Sequence, residues 1–302
     1  MQDINLSNIT IDKLSLPLFI AKNIELAVLR LDKIHPFISG NKWFKLRYYL
    51  EDARELNKKK ILTFGGAWSN HILATAAACQ LFGFESTGII RGEEAVELSP
   101  MLKQAKASGM NLVFISRGDY RQKKIPEVIN IDNYYFIGEG GFGTKGAAGA
   151  ATILDHCKKE DYTHICCAAG TGTMLAGLVM ASGEKNKIVA ISVLKNNFEL
   201  EQHVRSLLPE NKMNFDIFHD FHFGGYAKFV HHPSDKPGLI QFMNDFYRLT
   251  SIPSDFVYTG KLFYAIHELA ATDYFPSGSR LLVIHSGGLQ GNDSLGKGTL
   301  IF

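Results

Sequence analysis

Several short clusters in the chain carry side chains that could do chemistry. The first is Ser39-Gly40-Asn41-Lys42. It follows an extended run at residues 29–31 and precedes a helix bearing Trp43, Phe44, Leu46 and Tyr49. A glycine there lets the chain turn sharply, so Lys42 projects from a loop-to-helix junction. A lysine in a desolvated pocket has a lowered pKa and can form a Schiff base with a carbonyl compound. A solvated helix start uses the same residue types, and Lys45 competes for the role. The second cluster is Gly65-Gly66-Ala67-Trp68-Ser69-Asn70-His71. Ser69 suits a helix N-cap, and the amides that open that helix suit a carboxylate; a plain capped turn fits as well. The third is Ala169-Gly170-Thr171-Gly172-Thr173. A glycine-rich strand-to-helix loop can turn several N–H groups on a phosphate, with threonine hydroxyls adding donors. Its spacing is neither that of a Walker loop nor G-x-G-x-x-G.

Three further clusters follow. Gly138-Glu139-Gly140-Gly141-Phe142-Gly143 lacks the acidic partner of a dinucleotide fingerprint, and reads as backbone passing close to a ligand or another domain. Val257-Tyr258-Thr259-Gly260-Lys261 opens a helix, and its tyrosine is either packed with a satisfied hydroxyl or an acid or base beside a substrate. His285-Ser286-Gly287-Gly288 ends a strand. His219 with His222, and the pair His231-His232, form no zinc-binding pattern, and there is no G-x-S-x-G elbow.

These clusters need elements to position them. Apolar runs at 61–64, 86–90, 111–115, 134–137, 164–167, 188–193 and 281–284 read as strands. Helical patterns fall at 70–81, 100–108, 147–158, 173–180 and 261–271. Such alternation predicts parallel sheets covered by helices, with ligands at the carboxyl ends of strands. The glycine clusters sit at those ends. Residues 209–237 are the least regular and read as loops with edge elements. A net charge of +2 over 302 residues points to neither nucleic acid nor a membrane surface as partner. The Lys58–Lys60 run reads as a solvated helix end leading into a strand. The chain shows no signal peptide and no apolar run near the ~20 residues of a membrane span. Cys79, Cys157, Cys166 and Cys167 form no C-x-x-C pair and read as reduced thiols, which suits the cytoplasm.

Taken in order, the clusters resemble the 1-aminocyclopropane-1-carboxylate (ACC) deaminase/D-cysteine desulfhydrase family of pyridoxal 5'-phosphate (PLP) enzymes. The resemblance rests on Gly40-Asn41-Lys42, Gly65-Gly66 with Ser69-Asn70-His71, Glu139-Gly140-Gly141, Gly170 to Thr173, Tyr258-x-Gly260-Lys261 and His285-x-Gly287-Gly288. It runs over nearly the whole chain and implies an α/β protein of PLP fold type II, the tryptophan synthase β-like fold. That fold has two three-layer αβα domains with mostly parallel sheets. The small domain would span 43–149, and the large PLP-binding domain 1–42 and 150–302. By the same resemblance Lys42 would hold the cofactor covalently, and Asn70 would bond its phenolic oxygen. Gly170, Thr171, Gly172 and Thr173 would bind its phosphate. Thr259 and Ser286 would lie near its ring. Ser69, Asn70, Trp68, Tyr226 and Tyr258 would face a small amino-acid substrate, with Lys42, Tyr258 and Ser69 as the catalytic set. The family suggests a homodimer and no metal.

Two positions bear on the activity. In ACC deaminases an acidic residue follows the tyrosine and an apolar residue follows the histidine; here they are Thr259 and Ser286. A hydroxyl leaves the ring closer to neutral than a carboxylate does, which suits ordinary α-proton removal. The expected reaction is therefore D-cysteine desulfhydrase-like α,β-elimination giving pyruvate and ammonia. ACC deamination, a catalytically idle PLP-binding protein and a nucleotide-binding αβ protein are the alternatives. Trp68 stands where the family usually has glutamine, and Leu73 where arginine is common, so the substrate can differ from both family substrates.

Overall fold

The computed structural model describes residues 4–209, 212–229 and 238–302. The chain opens with β1 (Ile11–Leu14), α1 (Pro17–Ala21) and β2 (Glu25–Arg30), then enters α2 (Asn41–Glu55). Next come β3 (Lys60–Gly65), α3 (Asn70–Phe82), β4 (Glu85–Arg91), α4 (Pro100–Ala107), β5 (Met110–Ile115), α5 (Arg117–Arg121) and β6 (Tyr134–Ile137). The second half holds α6 (Thr144–Ala151), β7 (His164–Ala169), α7 (Thr173–Ala181), β8 (Lys187–Ser192), α8 (Leu200–Arg205) and β9 (Phe215–Phe218). It closes with α9 (Leu239–Thr250), α10 (Thr259–Ala271) and β10 (Arg280–His285).

The strands form two sheets. One is four-stranded, ordered β5-β4-β3-β6, with every pair parallel. The other is six-stranded, ordered β1-β2-β10-β7-β8-β9, and parallel except where β1 joins β2 at the edge. Parallel strands need both faces covered, which is why these runs are apolar without alternation. Adjacent residues of β7 show it. Cys167 packs with α6 and α7 on one face, while Cys166 packs with α10 on the other. The two thiols thus point to opposite sides of the sheet, and both are buried and free. In the smaller sheet, Ile61 meets α2 and α3, while Leu62 and Phe64 meet Tyr120 of α5 on the opposite face.

Two close approaches fix how α2, α6 and α7 meet. A Cβ on Gly149 would lie 2.0 Å from the Phe44 carbonyl oxygen, and one on Gly177 would lie 2.5 Å from that of Ala147. Small residues let these helix backbones nearly touch.

The structure departs from the sequence reading in places. The helix expected at 147–158 starts earlier, at Thr144, and tightens into a 3-10 turn over Thr152–His156. There the Thr152 hydroxyl bonds the Gly149 carbonyl at 2.7 Å. α2 ends at Glu55, so the Lys58–Lys60 run lies beyond the helix and leads into β3. β1, α1, α5, α8 and α9 are not among the elements expected from the sequence; most are short, and β1 is an edge strand with mixed burial, while β9 is an edge element within the irregular stretch at 209–237. His231, His232 and Pro237 lie outside the described residues. Among the described residues, no helix is long and apolar enough to cross a membrane, and no group of three or more His, Cys, Asp or Glu side chains could hold a metal ion.

Candidate active site

The carboxyl ends of β3, β7 and β10 open onto one cavity of about 480 Å³ between the two sheets. Lys42 lies in its wall. Gly40, just before α2, has φ +62°, and a Cβ there would fall 1.8 Å from the Ser286 carbonyl oxygen. Only glycine makes that turn against the β10 loop, so the turn fixes where α2 begins. The Lys42 amine donates to Asn41 Oδ1 at 2.7 Å and sits 5.8 Å from the centre of the Tyr258 ring. Burial lowers its pKa from 10.5 to about 8, opposed by the negative charge of Asp255. Lys45, one turn further on, lines the same cavity and donates to the Gly140 carbonyl at 3.3 Å. Burial, and then the Lys42 charge, hold its pKa well below the ordinary lysine value. The two lysines are thus both poised toward neutrality. Lys42 faces the tyrosine, while Lys45 is spent on backbone.

Tyr258 lines the cavity opposite, and burial pushes its phenol well above its ordinary pKa. Its hydroxyl has no hydrogen-bond partner among the described residues. The Tyr226 ring stands 6.5 Å away, and its hydroxyl donates to the Trp68 carbonyl at 2.9 Å. Burial raises that phenol to about 12. This one bond joins the loop after β9 to the loop after β3 across the cavity.

Ser69 caps α3 as expected, its Oγ accepting from the Ile72 amide at 3.3 Å. The Asn70 carboxamide makes no hydrogen bond among the described residues, and its buried Oδ1 is left without a partner. The Thr63 hydroxyl donates to the Ile137 carbonyl, so it accepts from His71 Nε2 at 2.8 Å. That sets the tautomer and leaves His71 Nδ1 as a bare, unpartnered acceptor. Burial drops the His71 pKa to about 3, so the ring stays neutral.

Gly170, Thr171 and Gly172 line the cavity. Thr173 lies beneath them, fully buried, with its hydroxyl 3.0 Å from that of Thr171. Asn197 steadies the loop by donating to the Gly170 carbonyl at 3.0 Å. Of the two residues expected beside a cofactor ring, only Ser286 lines the cavity. Thr259 sits behind the wall. Its hydroxyl donates to Asp255 Oδ1 at 2.7 Å and accepts from the Asp255 amide at 2.8 Å. Thr259 as a direct ring contact is corrected accordingly, because the hydroxyl is committed elsewhere.

Asp255 escaped the sequence reading. It is fully buried and accepts from the amides of Val257, Tyr258 and Thr259. Burial raises its pKa, and those donors oppose the rise. An acidic residue just before a helix start is the signal the sequence offers for it. Lys261 closes the Tyr258-x-Gly260-Lys261 motif. It is fully buried and donates to the carbonyls of Val193, His222 and Gly225.

Residues 16–213 match the model of the family described as pyridoxal-phosphate dependent enzyme. The chain belongs to that PLP-dependent family. It is 29% identical to a candidate ACC deaminase of Pyrococcus abyssi, over 84% of this chain and 81% of the relative. It is 27% identical to the bifunctional D-cysteine desulfhydrase/ACC deaminase of Arabidopsis thaliana, over 84% of this chain and 70% of the relative. The crystal structure of an ACC deaminase homologue superposes with a TM-score of 0.80 at 25% identity, covering 94% of this chain and 90% of that one. The O-ureido-L-serine synthase structure shares the fold at a TM-score of 0.69 and 14% identity. The PLP-dependent fold expected from the sequence is therefore the fold found.

The residues present fit the cofactor. A lysine of lowered pKa, an asparagine with unspent hydrogen-bonding groups and a loop of small residues all face one cavity. At Gly140 a Cβ would strike the Thr171 side chain at 2.8 Å, so the facing walls of the cradle tolerate no added bulk. PLP would be held by Lys42, by Asn70 and by the amides of Gly170 to Thr173.

Proposed function

We propose that this PLP-dependent enzyme is a lyase of small amino acids, of the D-cysteine desulfhydrase-like type, forming pyruvate and ammonia by α,β-elimination. The observation that carries the reading is Lys42 standing over the Tyr258 ring, 5.8 Å from its centre, in one cavity. PLP, when bound, supplies an electron sink for the carbanion left by loss of the α-proton. The protein's own residues supply the rest. The amides opening α3, with the Ser69 hydroxyl, bind the substrate carboxylate and set the α-carbon. With its pKa near 8, the Lys42 amine is half free of its proton at pH 8, far below an ordinary lysine, and in that neutral form accepts the α-proton. Tyr258 keeps its proton because burial raises its pKa, so it can hand that proton to a leaving thiol. The Tyr226–Trp68 bond ties together two of the segments that line the cavity.

Ser286, a hydroxyl where ACC deaminases have an apolar residue, lines the cavity and favours elimination over opening of a cyclopropane ring. ACC remains the second candidate, because relatives carry that name. The test is release of keto acid and sulfide from D-cysteine, ACC, D-serine and β-chloro-D-alanine by PLP-loaded enzyme. Pyruvate with sulfide from D-cysteine is expected. A clear ACC signal without it reverses the assignment, and no keto acid from any amino acid ends the lyase reading.

A further inference from the structure

The cavity has more positive charge than the roles above use. Besides the phosphate loop and the carboxylate site at Ser69, two arginines line it. Arg91 ends β4, and Arg117 opens α5. In the β4–β5 ladder Arg91 lies opposite Ile115, and Arg117 follows two residues later, so neighbouring strand ends bring both to one rim. Neither has a carboxylate within ion-pair distance or a hydrogen-bond acceptor among the described residues. A Cβ on Gly66 would lie 3.8 Å from one Arg91 guanidinium nitrogen, which places that group over the loop leading to Ser69. Burial raises the Tyr226 phenol and the Arg91 charge opposes that rise, so Arg91 also acts across the cavity. Glu139 is the one carboxylate among the lining residues. It is already taken, accepting from the Tyr120 hydroxyl at 2.6 Å and pairing with Lys123.

A guanidinium fork matches the planar, bidentate geometry of an oxyanion. Exposed arginines alone would mean little, since water satisfies them. Arg91 and Arg117 are exposed, yet both also enter the lining of the cavity that holds Lys42. We propose that the substrate is an amino acid with a second oxyanion on its side chain, a carboxylate or a phosphate, held by Arg91 and Arg117. This rests on the lyase reading and narrows its substrate. With a phosphate, elimination would remove the α-proton and break the Cβ–O bond, whose electron pair leaves with phosphate; uptake of one water then gives pyruvate and ammonia.

The test uses PLP-loaded enzyme and matched pairs in both D and L forms: O-phosphoserine against serine, and aspartate against alanine. Affinity is read from the visible absorbance of the bound cofactor and by calorimetry, and keto acid is assayed in parallel. At least one acidic member should bind about tenfold or more tightly than its neutral partner, the range of a charge-assisted contact. Phosphate and carboxylate are told apart by which pair shows it. Arg91→Met and Arg117→Met should each remove most of that advantage and leave the neutral partner unchanged. Arg91→Lys should restore part of it, and the advantage should shrink as salt rises. Equal affinity for acidic and neutral members overturns the proposal. So does equal weakening of both by the variants, which would make the arginines partners of the first carboxylate. Failure of the lyase reading looks different: no keto acid, with the affinity difference intact.

Discussion

Lys42 and Asp255 are linked through charge, and that link is testable. A lysine attacks a carbonyl only as the neutral amine, and burial brings Lys42 down to about pKa 8. Capture of PLP by the apoprotein should therefore speed up about tenfold per pH unit below pH 8 and level off above it. Stopped-flow absorbance reads the rate, and a plateau reached only near pH 10.5 would contradict the desolvated site. The negative charge of Asp255 raises the Lys42 pKa, so Asp255→Asn should move the same midpoint to lower pH. It should also cost roughly 1.5–3 kcal/mol of stability, because charge-assisted bonds to three amides and a hydroxyl are weakened. Lys42→Ala should abolish the pyridoxyl label that borohydride fixes to the peptide containing residue 42. A label surviving on Lys45 would show that the second lysine in the cavity carries the cofactor.

At the scale of elements, positions are set by helix starts and helix contacts. Ser69→Ala removes the N-cap of α3 and should cost about 1 kcal/mol, with weaker carboxylate binding and unchanged PLP content. Substrate titration of the holoenzyme separates the two effects. Gly177→Val puts bulk where α6 and α7 nearly touch, and should cost about 1–3 kcal/mol as a fall in urea midpoint at constant slope. The α6–α7 contact lies under the Gly170 to Thr173 loop, so the same variant should also raise the Kd for PLP. An unchanged Kd would mean that the loop is held by Asn197 and its own turn rather than by the helix beneath.

For the whole molecule, the site exists only where two sheets face each other. Trp43 packs against core residues of both, so tryptophan fluorescence and far-UV circular dichroism should report one urea transition. Two separated midpoints would show that the sheets unfold independently. PLP at a hundredfold excess over its Kd should add about 2.7 kcal/mol to the stability of the folded form. The sequence by itself determined the strand runs, their parallel arrangement and the family, because unbroken apolar strands alternating with helices satisfy both faces of a buried sheet. The family resemblance it carries also singled out Lys42, Ser69 and the Gly170 to Thr173 loop, whose glycines and cap mark sharp turns at strand ends. Only the tertiary structure decided that Thr259 is spent on Asp255, that Lys45 shares the cavity with Lys42, and that Arg91 and Arg117 reach it. Each of those facts depends on which groups meet across a distance in sequence, and a hydroxyl or a guanidinium carries no local pattern that tells where it points.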